Sequence, residues 1–357
     1  MRVFHVSAEQ FTELPAPPDA LPGSGFLWVG VAREDFRNRF AELQAVLQRW
    51  TGGQLVDLHV SDLANAQLPS HFDDTSWYDL LVFRRLAAGA PDADADGAAA
   101  AMPGIDTSPV GFAVFDRVLL TVHPSDCTVR DHFAARLADQ AHGIDLRGSA
   151  RLPAGTAELM LRMVNHMVDS YLDLRRQLTR HLGTLQQQLL DRRARFHDWR
   201  ALLDARDTLH QLEDLAEDQR SAVQEWIDAL DEWPAEDDAQ RRRERELLRV
   251  RSRDVLEHVE RVLSHVRRLQ QSAESAVQIH FSALANRTND IMRTLTVLTA
   301  VFLPLNLITG FFGMNFDALP LVHSATGIWV AVALMAAVFV ALFAFFWRKR
   351  YLGSSRR

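Results

Sequence analysis

The chain has 357 residues, of which 48% are hydrophobic, and its formal net charge is −7 at pH 7. Because it has no basic surplus, we expect no nucleic-acid partner. Cys127 is the only cysteine, which excludes an intrachain disulfide and a cysteine-cluster metal site. The first ten residues lack the apolar core of a secretory signal. No phosphate-binding loop, nucleophile motif or metalloprotease helix occurs, so we expect no enzyme.

Residues 1–155 have the composition and spacing of a cytosolic α/β domain. Short runs rich in Val, Leu and Phe predict strands at 2–6, 26–31, 55–60, 78–84, 111–115 and 118–122. Longer periodic segments predict helices at 34–50 and 129–142. Strands of this composition suit a sheet that is covered on both faces.

A low-complexity insert of Ala, Asp, Gly and Pro occupies residues 88–109. Within it, Asp92, Asp94 and Asp96 resemble the opening of a calcium-binding EF-hand loop. Such a loop needs a glutamate at its twelfth position, and here that position is Pro103. We therefore interpret the insert as a solvated acidic loop.

Residues 156–290 repeat apolar positions every three or four residues, which predicts a helical hairpin or coiled coil followed by a stalk helix. An acidic turn at 232–238, which contains Pro234, separates the two parts. No proline or glycine follows from Ala235 to Leu303, so one helix can continue into the next apolar run. At 1.5 Å per residue, about 70 residues would extend on the order of 100 Å.

Two uncharged apolar runs, 294–315 and 328–347, are each long enough to cross a bilayer. We expect membrane spans at 291–315 and 327–347, joined by a periplasmic loop at 316–326. The tail, residues 348–357, begins with Arg348, Lys349 and Arg350, whereas the loop has no Lys or Arg. The positive-inside rule therefore predicts that both termini are cytosolic.

The first span carries a stripe of polar and small residues, whereas the second is apolar on all sides. Separations of three and four residues place the stripe on one helix face: Thr296, Thr299, Leu303, Asn306, Gly310 and Gly313. Small and hydroxyl residues of this kind are typical of helix packing. Asn306 favours a water-facing stripe instead, because packing rarely satisfies all the hydrogen-bonding groups of a primary amide.

The first span ends in Gly313-Met314-Asn315, and this ending resembles the CorA/ZntB family of divalent metal-ion transport proteins. The resemblance extends to residues 286–289, Phe302-Leu303-Pro304, Asp254 and His258. Phe316 after Asn315 is closer to the CorA magnesium branch. The resemblance implies an α+β membrane protein of the bacterial inner membrane, a funnel-shaped homopentamer with a helical stalk.

The resemblance also implies roles for individual residues. Gly313, Met314 and Asn315 would form the selectivity filter, and the pore lining would comprise Asn289, Met292, Leu295, Thr299, Leu303, Asn306 and Gly310. Met292 and Leu295 are equally consistent with a coiled-coil core. Arg348, Lys349 and Arg350 would form a basic collar or, equally, anchor the topology. Asp254 would bind a regulatory cation together with Asp92, Asp94 and Asp96 of a neighbouring subunit.

The resulting functional prediction is transport of Mg²⁺, with Co²⁺ or Ni²⁺ as surrogates. The only ligands expected are the transported and regulatory metal ions, and the expected partners are membrane lipid and further copies of the chain. Zn²⁺ transport, with or without proton coupling, stays open, because Leu319-Pro320-Leu321 replaces the acidic loop motif of many magnesium members and Gln278 replaces a stalk aspartate. The alternative class is a non-conducting, membrane-anchored coiled-coil scaffold.

Overall fold

The computed structural model describes residues 1–89, 104–142, 151–190, 199–233, 237–314 and 326–349. The chain divides into two compact units, Met1–Glu274 and Ser275–Arg357. We refer to them as the sheet unit and the span unit.

The sheet unit is built on a seven-stranded mixed sheet. Its strands are, in spatial order, β2 (Phe11–Leu14), β1 (Arg2–Val6), β3 (Phe26–Ala32), β9 (Val118–His123), β8 (Pro109–Val114), β5 (Asp79–Arg84) and β4 (His71–Asp74). β3 and β9 pair in parallel, and the other neighbours pair antiparallel. A separate two-stranded sheet pairs β6 (Ala87–Ala88) antiparallel with β7 (Ile105–Asp106).

Helices cover both faces of this sheet. One face packs with α1 (Arg33–Asn38), α2 (Phe40–Thr51) and α3 (Asp57–Ala64). The other packs with α4 (Thr128–Ala141), α5 (Thr156–Asp169), α6 (Tyr171–Leu190), α7 (Trp199–Glu232) and the first part of α8 (Ala239–Phe312). Alternation along β3 separates the two cores, since Phe26 and Trp28 enter one and Leu27 and Val29 the other.

The strand predicted at 55–60 is wrong, because residues Asp57–Ala64 form helix α3. Leu55, His59 and Leu63 are buried at a spacing of four, which is one face of a helix. The helix predicted at 34–50 is two helices, α1 and α2, separated at Arg39, whose φ of −112° and ψ of 21° are not helical. The edge strands β2 and β4 were not predicted, because they are short and largely unburied.

The helical part of the chain agrees with the sequence. α7 ends at Glu232, α8 begins at Ala239, and α8 continues without a break to Phe312. Arg245 closes the connection by donating from Nη2 to the carbonyls of Leu230 at 2.8 Å and Trp233 at 2.6 Å. These bonds satisfy carbonyls that the end of a helix leaves without intrahelical donors.

Two buried polar contacts fix α8 against its neighbours in the sheet unit. The Tyr171 hydroxyl lies 2.7 Å from Nδ1 of His265, and the Trp226 indole donates to Ser252 Oγ at 2.9 Å. Because a buried polar group is costly without its partner, these pairs specify the register of the helices.

The span unit contains the end of α8 and α9 (Gly327–Arg348). These two helices are long and apolar enough to cross a membrane. Pro304 lies inside α8, within the first apolar run.

Candidate functional site

The predicted pore-lining side chains lie on an exposed side of α8 in the span unit. All of these positions are exposed: Asn289, Met292, Leu295, Thr299, Leu303, Asn306 and Gly310. Of the apolar members, Met292 is 58% exposed and Leu303 67%. Within one chain they are therefore not core residues, and the coiled-coil interpretation of Met292 and Leu295 would require further copies.

The opposite side of the same helix is covered. Val297 and Val301 are buried, at 6% and 8% exposure. At about 100° per residue, they lie roughly 180° around the helix axis from Thr299. In α9, Gly327 and Ala331 are the buried positions. The first span thus has an apolar side on which Val297 and Val301 are buried and a polar side that is exposed.

The polar groups of the open side differ in how they are satisfied. The hydroxyls of Thr296 and Thr299 donate to the carbonyls of Met292 and Leu295, at 2.8 and 2.9 Å. Their protons are used, while their lone pairs remain available to a cation or to water. The Asn306 side chain makes no hydrogen bond within the described part of the chain. It can therefore offer both an acceptor and donors to the space in front of the helix.

Gly310 and Gly313, near the end of the first span, differ in whether the surrounding structure restricts a larger side chain. A Cβ on Gly310 would meet nothing within 4 Å, so packing within one chain does not require glycine there. A Cβ on Gly313 would lie 3.0 Å from the Thr309 carbonyl oxygen, which accepts the Gly313 N–H at 2.9 Å. A side chain at position 313 would therefore require a small shift of the last turn of α8.

Several predicted site residues lie outside the described residues. Asn315 is one of them, and Met314 before it is 41% exposed. Arg350 and the insert residues Asp92, Asp94 and Asp96 also lie outside the described ranges. Arg348 and Lys349 stand at the end of α9, where cations complement the helix dipole. That position suits a basic collar and a topology anchor equally.

Asp254, the predicted regulatory ligand, is 59% exposed on α8 in the sheet unit. Its Oδ1 lies 3.8 Å from Nε2 of His258, one turn later. The other ring nitrogen of His258 lies 3.2 Å from Oδ1 of Asn165 and 3.7 Å from Oδ1 of Asp169, both on α5. The site therefore joins α5 to α8 through one imidazole.

Among the described residues, no three His, Cys, Asp or Glu side chains converge as a metal site. Asp254 would need ligands from water or another chain. Sequence reasoning missed Asn165 and Asp169. The sequence shows that Asn165 and Asp169 lie four residues apart, on one face of a helix. It does not show that they contact His258, because that contact depends on how α5 packs against α8.

Comparison with known proteins identifies the family. Residues 54–350 match the family model described as "CorA-like Mg2+ transporter protein". The chain is 30% identical over 100 residues to the cobalt/magnesium transport protein CorA of Thermotoga maritima, covering 28% of each protein. It is 31% identical over 101 residues to the magnesium transport protein CorA of Haemophilus influenzae, covering 28% of this chain and 32% of the relative. The matched segments thus span about a third or less of these relatives.

The fold is similar over a much longer stretch. The complete structure of the CorA magnesium transporter from Methanocaldococcus jannaschii superposes with a TM-score of 0.68. That superposition covers 97% of both chains at 18% sequence identity. The family comprises transporters and not enzymes, in agreement with the lack of catalytic motifs. Because the family model covers most of the chain, including both apolar helices, the chain belongs to the CorA-like Mg²⁺ transporter family.

Proposed function

We propose that this protein is a homopentameric pore that carries Mg²⁺ across the bacterial inner membrane, with Co²⁺ or Ni²⁺ as surrogates. The relatives named above are magnesium or cobalt/magnesium transport proteins, and the family model covers residues 54–350. The domain bounds given above, with cytosolic termini and a periplasmic loop at 316–326, are part of this proposal.

One observation carries the proposal: the open polar side of the first span lies opposite its covered apolar side. A helix that only anchors a protein in lipid has no need of an unsatisfied amide such as Asn306, because polar groups are costly against hydrocarbon. Turning the open side inward in a ring of copies would place Thr299 and Asn306 in water. The covered side, at Val297 and Val301, would then face away from the axis.

The chemistry of the open side favours Mg²⁺ over Zn²⁺. Its polar side chains are amides and hydroxyls, with no imidazole or thiol among its described residues. Mg²⁺ prefers oxygen ligands and keeps its waters, whereas Zn²⁺ prefers nitrogen and sulfur. In this proposal five copies of Asn315, after Gly313 and Met314, would hold the hydrated ion at the outer mouth. Met292 and Leu295 would form an apolar inner gate.

Purified full-length protein in proteoliposomes provides the test. We expect Mg²⁺ uptake driven by an inside-negative potential in the wild type, and a loss of most of that uptake in Asn315→Ala. The variant should elute at the same volume as the wild type, which would show that its loss of uptake does not come from misassembly. Equal uptake by wild type and empty liposomes would favour the non-conducting scaffold.

A second arm separates the two transport interpretations. Mg²⁺ and Zn²⁺ uptake are measured with and without a pH gradient. Mg²⁺ transport through a pore predicts uptake that follows the membrane potential and ignores the pH gradient. Zn²⁺ uptake that needs the gradient, with little Mg²⁺ uptake, would contradict the proposal in favour of the proton-coupled alternative.

We further propose that Asp254 binds regulatory Mg²⁺ together with the insert residues Asp92, Asp94 and Asp96 of a neighbouring subunit. The exposed carboxylate of Asp254 beside His258 is consistent with a half-site that a second chain completes. Mg²⁺ bridging two chains would hold the gate closed when cytosolic Mg²⁺ is abundant. Asp254→Ala should then conduct at Mg²⁺ concentrations that close the wild type, and unchanged closure would refute this role.

A further inference from the structure

A groove of about 380 Å³ runs along α8 within the span unit, next to the polar stripe. Its lining residues come from three successive turns: Arg287, Asp290, Ile291, Thr294, Leu295 and Leu298. Ile291 is 61% exposed, and Leu295 and Leu298 are each 55% exposed. Leu295 forms the border between the groove and the stripe.

The groove is charged at one end only. Arg287 and Asp290 lie three residues apart at that end, and neither side chain has an ion-pair or hydrogen-bond partner within the described ranges. The Thr294 hydroxyl is satisfied, since it donates to the Asp290 backbone carbonyl at 2.9 Å. Two opposite charges that do not pair with each other therefore stand at the end of an otherwise apolar surface.

Asp290 lies at the depth of the lipid headgroups, and Arg287 lies just beyond them. α8 carries no charged residue from Thr294 to Phe312, so the hydrocarbon layer begins near Thr294. Arg287 is seven residues earlier, which is about 10 Å along the helix. The headgroup layer extends roughly 5–8 Å beyond the hydrocarbon on each side, and an arginine stem can reach along it. The apolar end of the groove lies at the depth of the acyl chains.

We propose that this groove binds an aminophospholipid with a zwitterionic headgroup, such as phosphatidylethanolamine. The lipid phosphate binds the Arg287 guanidinium, and its primary ammonium binds the Asp290 carboxylate. One acyl chain lies along Ile291 and Leu298, beside the border that Leu295 forms with the stripe. Asp290 disfavours a purely anionic headgroup by like-charge repulsion. A choline headgroup, which has no N–H, cannot donate to Asp290.

A second copy of α8 fits the groove less well. If the polar stripe faces the axis of a ring, each side of α8 meets a different side of its neighbour. Arg287 and Asp290 lie on the same side, so Arg287 of one copy does not reach Asp290 of the next. The lipid site requires insertion of α8 in a bilayer and does not depend on which ion is transported.

Native mass spectrometry of the full-length protein tests this site. The protein is equilibrated in nanodiscs with equal parts of phosphatidylethanolamine, phosphatidylcholine and phosphatidylglycerol, and the retained lipids are then identified. We expect the wild type to retain phosphatidylethanolamine over phosphatidylcholine by about tenfold, the scale of one charge-assisted hydrogen bond. Retention equal for the two lipids, or highest for phosphatidylglycerol, would overturn the proposal.

Variants locate the site. Arg287→Ala should reduce retention of phosphatidylethanolamine about tenfold, and Asp290→Asn should remove the preference over phosphatidylcholine. The matched control is Arg243→Ala, which removes another exposed arginine of α8, in the sheet unit. If the first two variants behave like this control, the site is elsewhere.

Two further measurements still test the site if Arg287→Ala or Asp290→Asn does not fold. Arg287→Lys and Asp290→Glu keep both charges and should keep the preference for phosphatidylethanolamine. Arg287→Cys should not form disulfide-linked dimers in lipid, and the native Cys127 does not interfere because it is buried. Efficient cross-linking through residue 287 would show that a second copy fills the groove, and would overturn the lipid site.

Discussion

The two units treat their large apolar side chains in opposite ways. In the sheet unit, Trp28, Phe112 and Trp226 are at most 1% exposed. In the span unit, Leu307 is 73% exposed and Trp329 is 74% exposed. The first unit therefore encloses its own core, whereas the second presents its apolar residues to its surroundings. Such surroundings are lipid or further copies of the chain, because exposed apolar surface on this scale mediates interactions.

The two units also differ in whether their polar side chains find hydrogen-bond partners within the chain. In the sheet unit a buried group such as His265 is bonded to Tyr171 within the same chain. In the span unit Asn306 has no side-chain partner among the described residues. We therefore expect substitutions in the sheet unit to affect folding, and substitutions on the open side of the span unit to affect what that side contacts. The predictions below test this contrast, in order of expected effect.

The largest effect is expected from a cavity in the sheet core. Phe112, in the middle of β8, is fully buried. Phe112→Ala should lower the free energy of unfolding by about 3–5 kcal/mol, because it removes buried contacts and leaves a void. Urea unfolding of the full-length protein in detergent, followed by circular dichroism, measures the change. Leu58→Ala, at a site that is 63% exposed, is the control and should change the free energy of unfolding by less than about 0.5 kcal/mol.

Acidification should destabilise the sheet unit. Burial lowers the pKa of His123 to about 3 and the pKa values of His166 and His265 to about 4. Between about pH 6.5 and 4 these imidazoles are protonated in the unfolded chain but not in the folded one, so stability falls as the pH falls. Each contributes at most about 1.4 kcal/mol per pH unit. Burial also raises the pKa of Asp79, to about 6, and the pKa of Asp218, and these two carboxyl groups oppose the trend.

Replacing one imidazole sharpens that prediction. His166→Gln should make the plot of unfolding free energy against pH shallower between about pH 6.5 and 4. The reason is that the variant lacks one group that takes up a proton on unfolding in this range. Unfolding free energies of the wild type and variant, measured at a series of pH values, give the two slopes. Parallel slopes would contradict the assignment of His166 as a partly buried neutral group.

In the span unit, the open polar side should matter for transport and not for folding. Asn306→Leu should reduce Mg²⁺ flux in proteoliposomes at least about tenfold, since it removes the free amide where an ion would pass, which corresponds to about 1.4 kcal/mol. Thr309→Val removes a polar group outside the stripe of the same span and is the matched control. Equal flux in both variants would contradict an inward-facing stripe.

The smallest effect is expected from an apolar side chain of α9. Leu334 is 46% exposed, and lipid tails are as apolar as leucine. Leu334→Ala should therefore change the unfolding free energy in detergent by less than about 0.5 kcal/mol. Leu159→Ala, at a fully buried position of α5, should cost about 2–5 kcal/mol in the same assay. Similar costs would mean that α9 has a packed interior of its own.

Local patterns predicted most of the regular structure. The apolar runs of β1, β3, β5, β8 and β9 and the unbroken helix α8 are visible in the sequence, because a covered strand and a long helix each impose a repeat on adjacent residues. Helix α3 was mistaken for a strand because Val56, Leu58 and Val60 alternate with Asp57 and His59. Its true period appears only when Leu55, His59 and Leu63 are seen packed against one face of the sheet.

For the candidate site, the sequence by itself determined the stripe on the first span and the family to which the chain belongs. The stripe follows from spacing along a single helix, which is fixed by 3.6 residues per turn, and the family follows from the Gly313-Met314-Asn315 ending and the residues that accompany it. Only the tertiary structure decided that the side with Val297 and Val301 is covered. It also brought Asn165 and Asp169 to His258, from 93 and 89 residues away. Contacts between distant segments depend on how helices pack, and no local pattern encodes that choice.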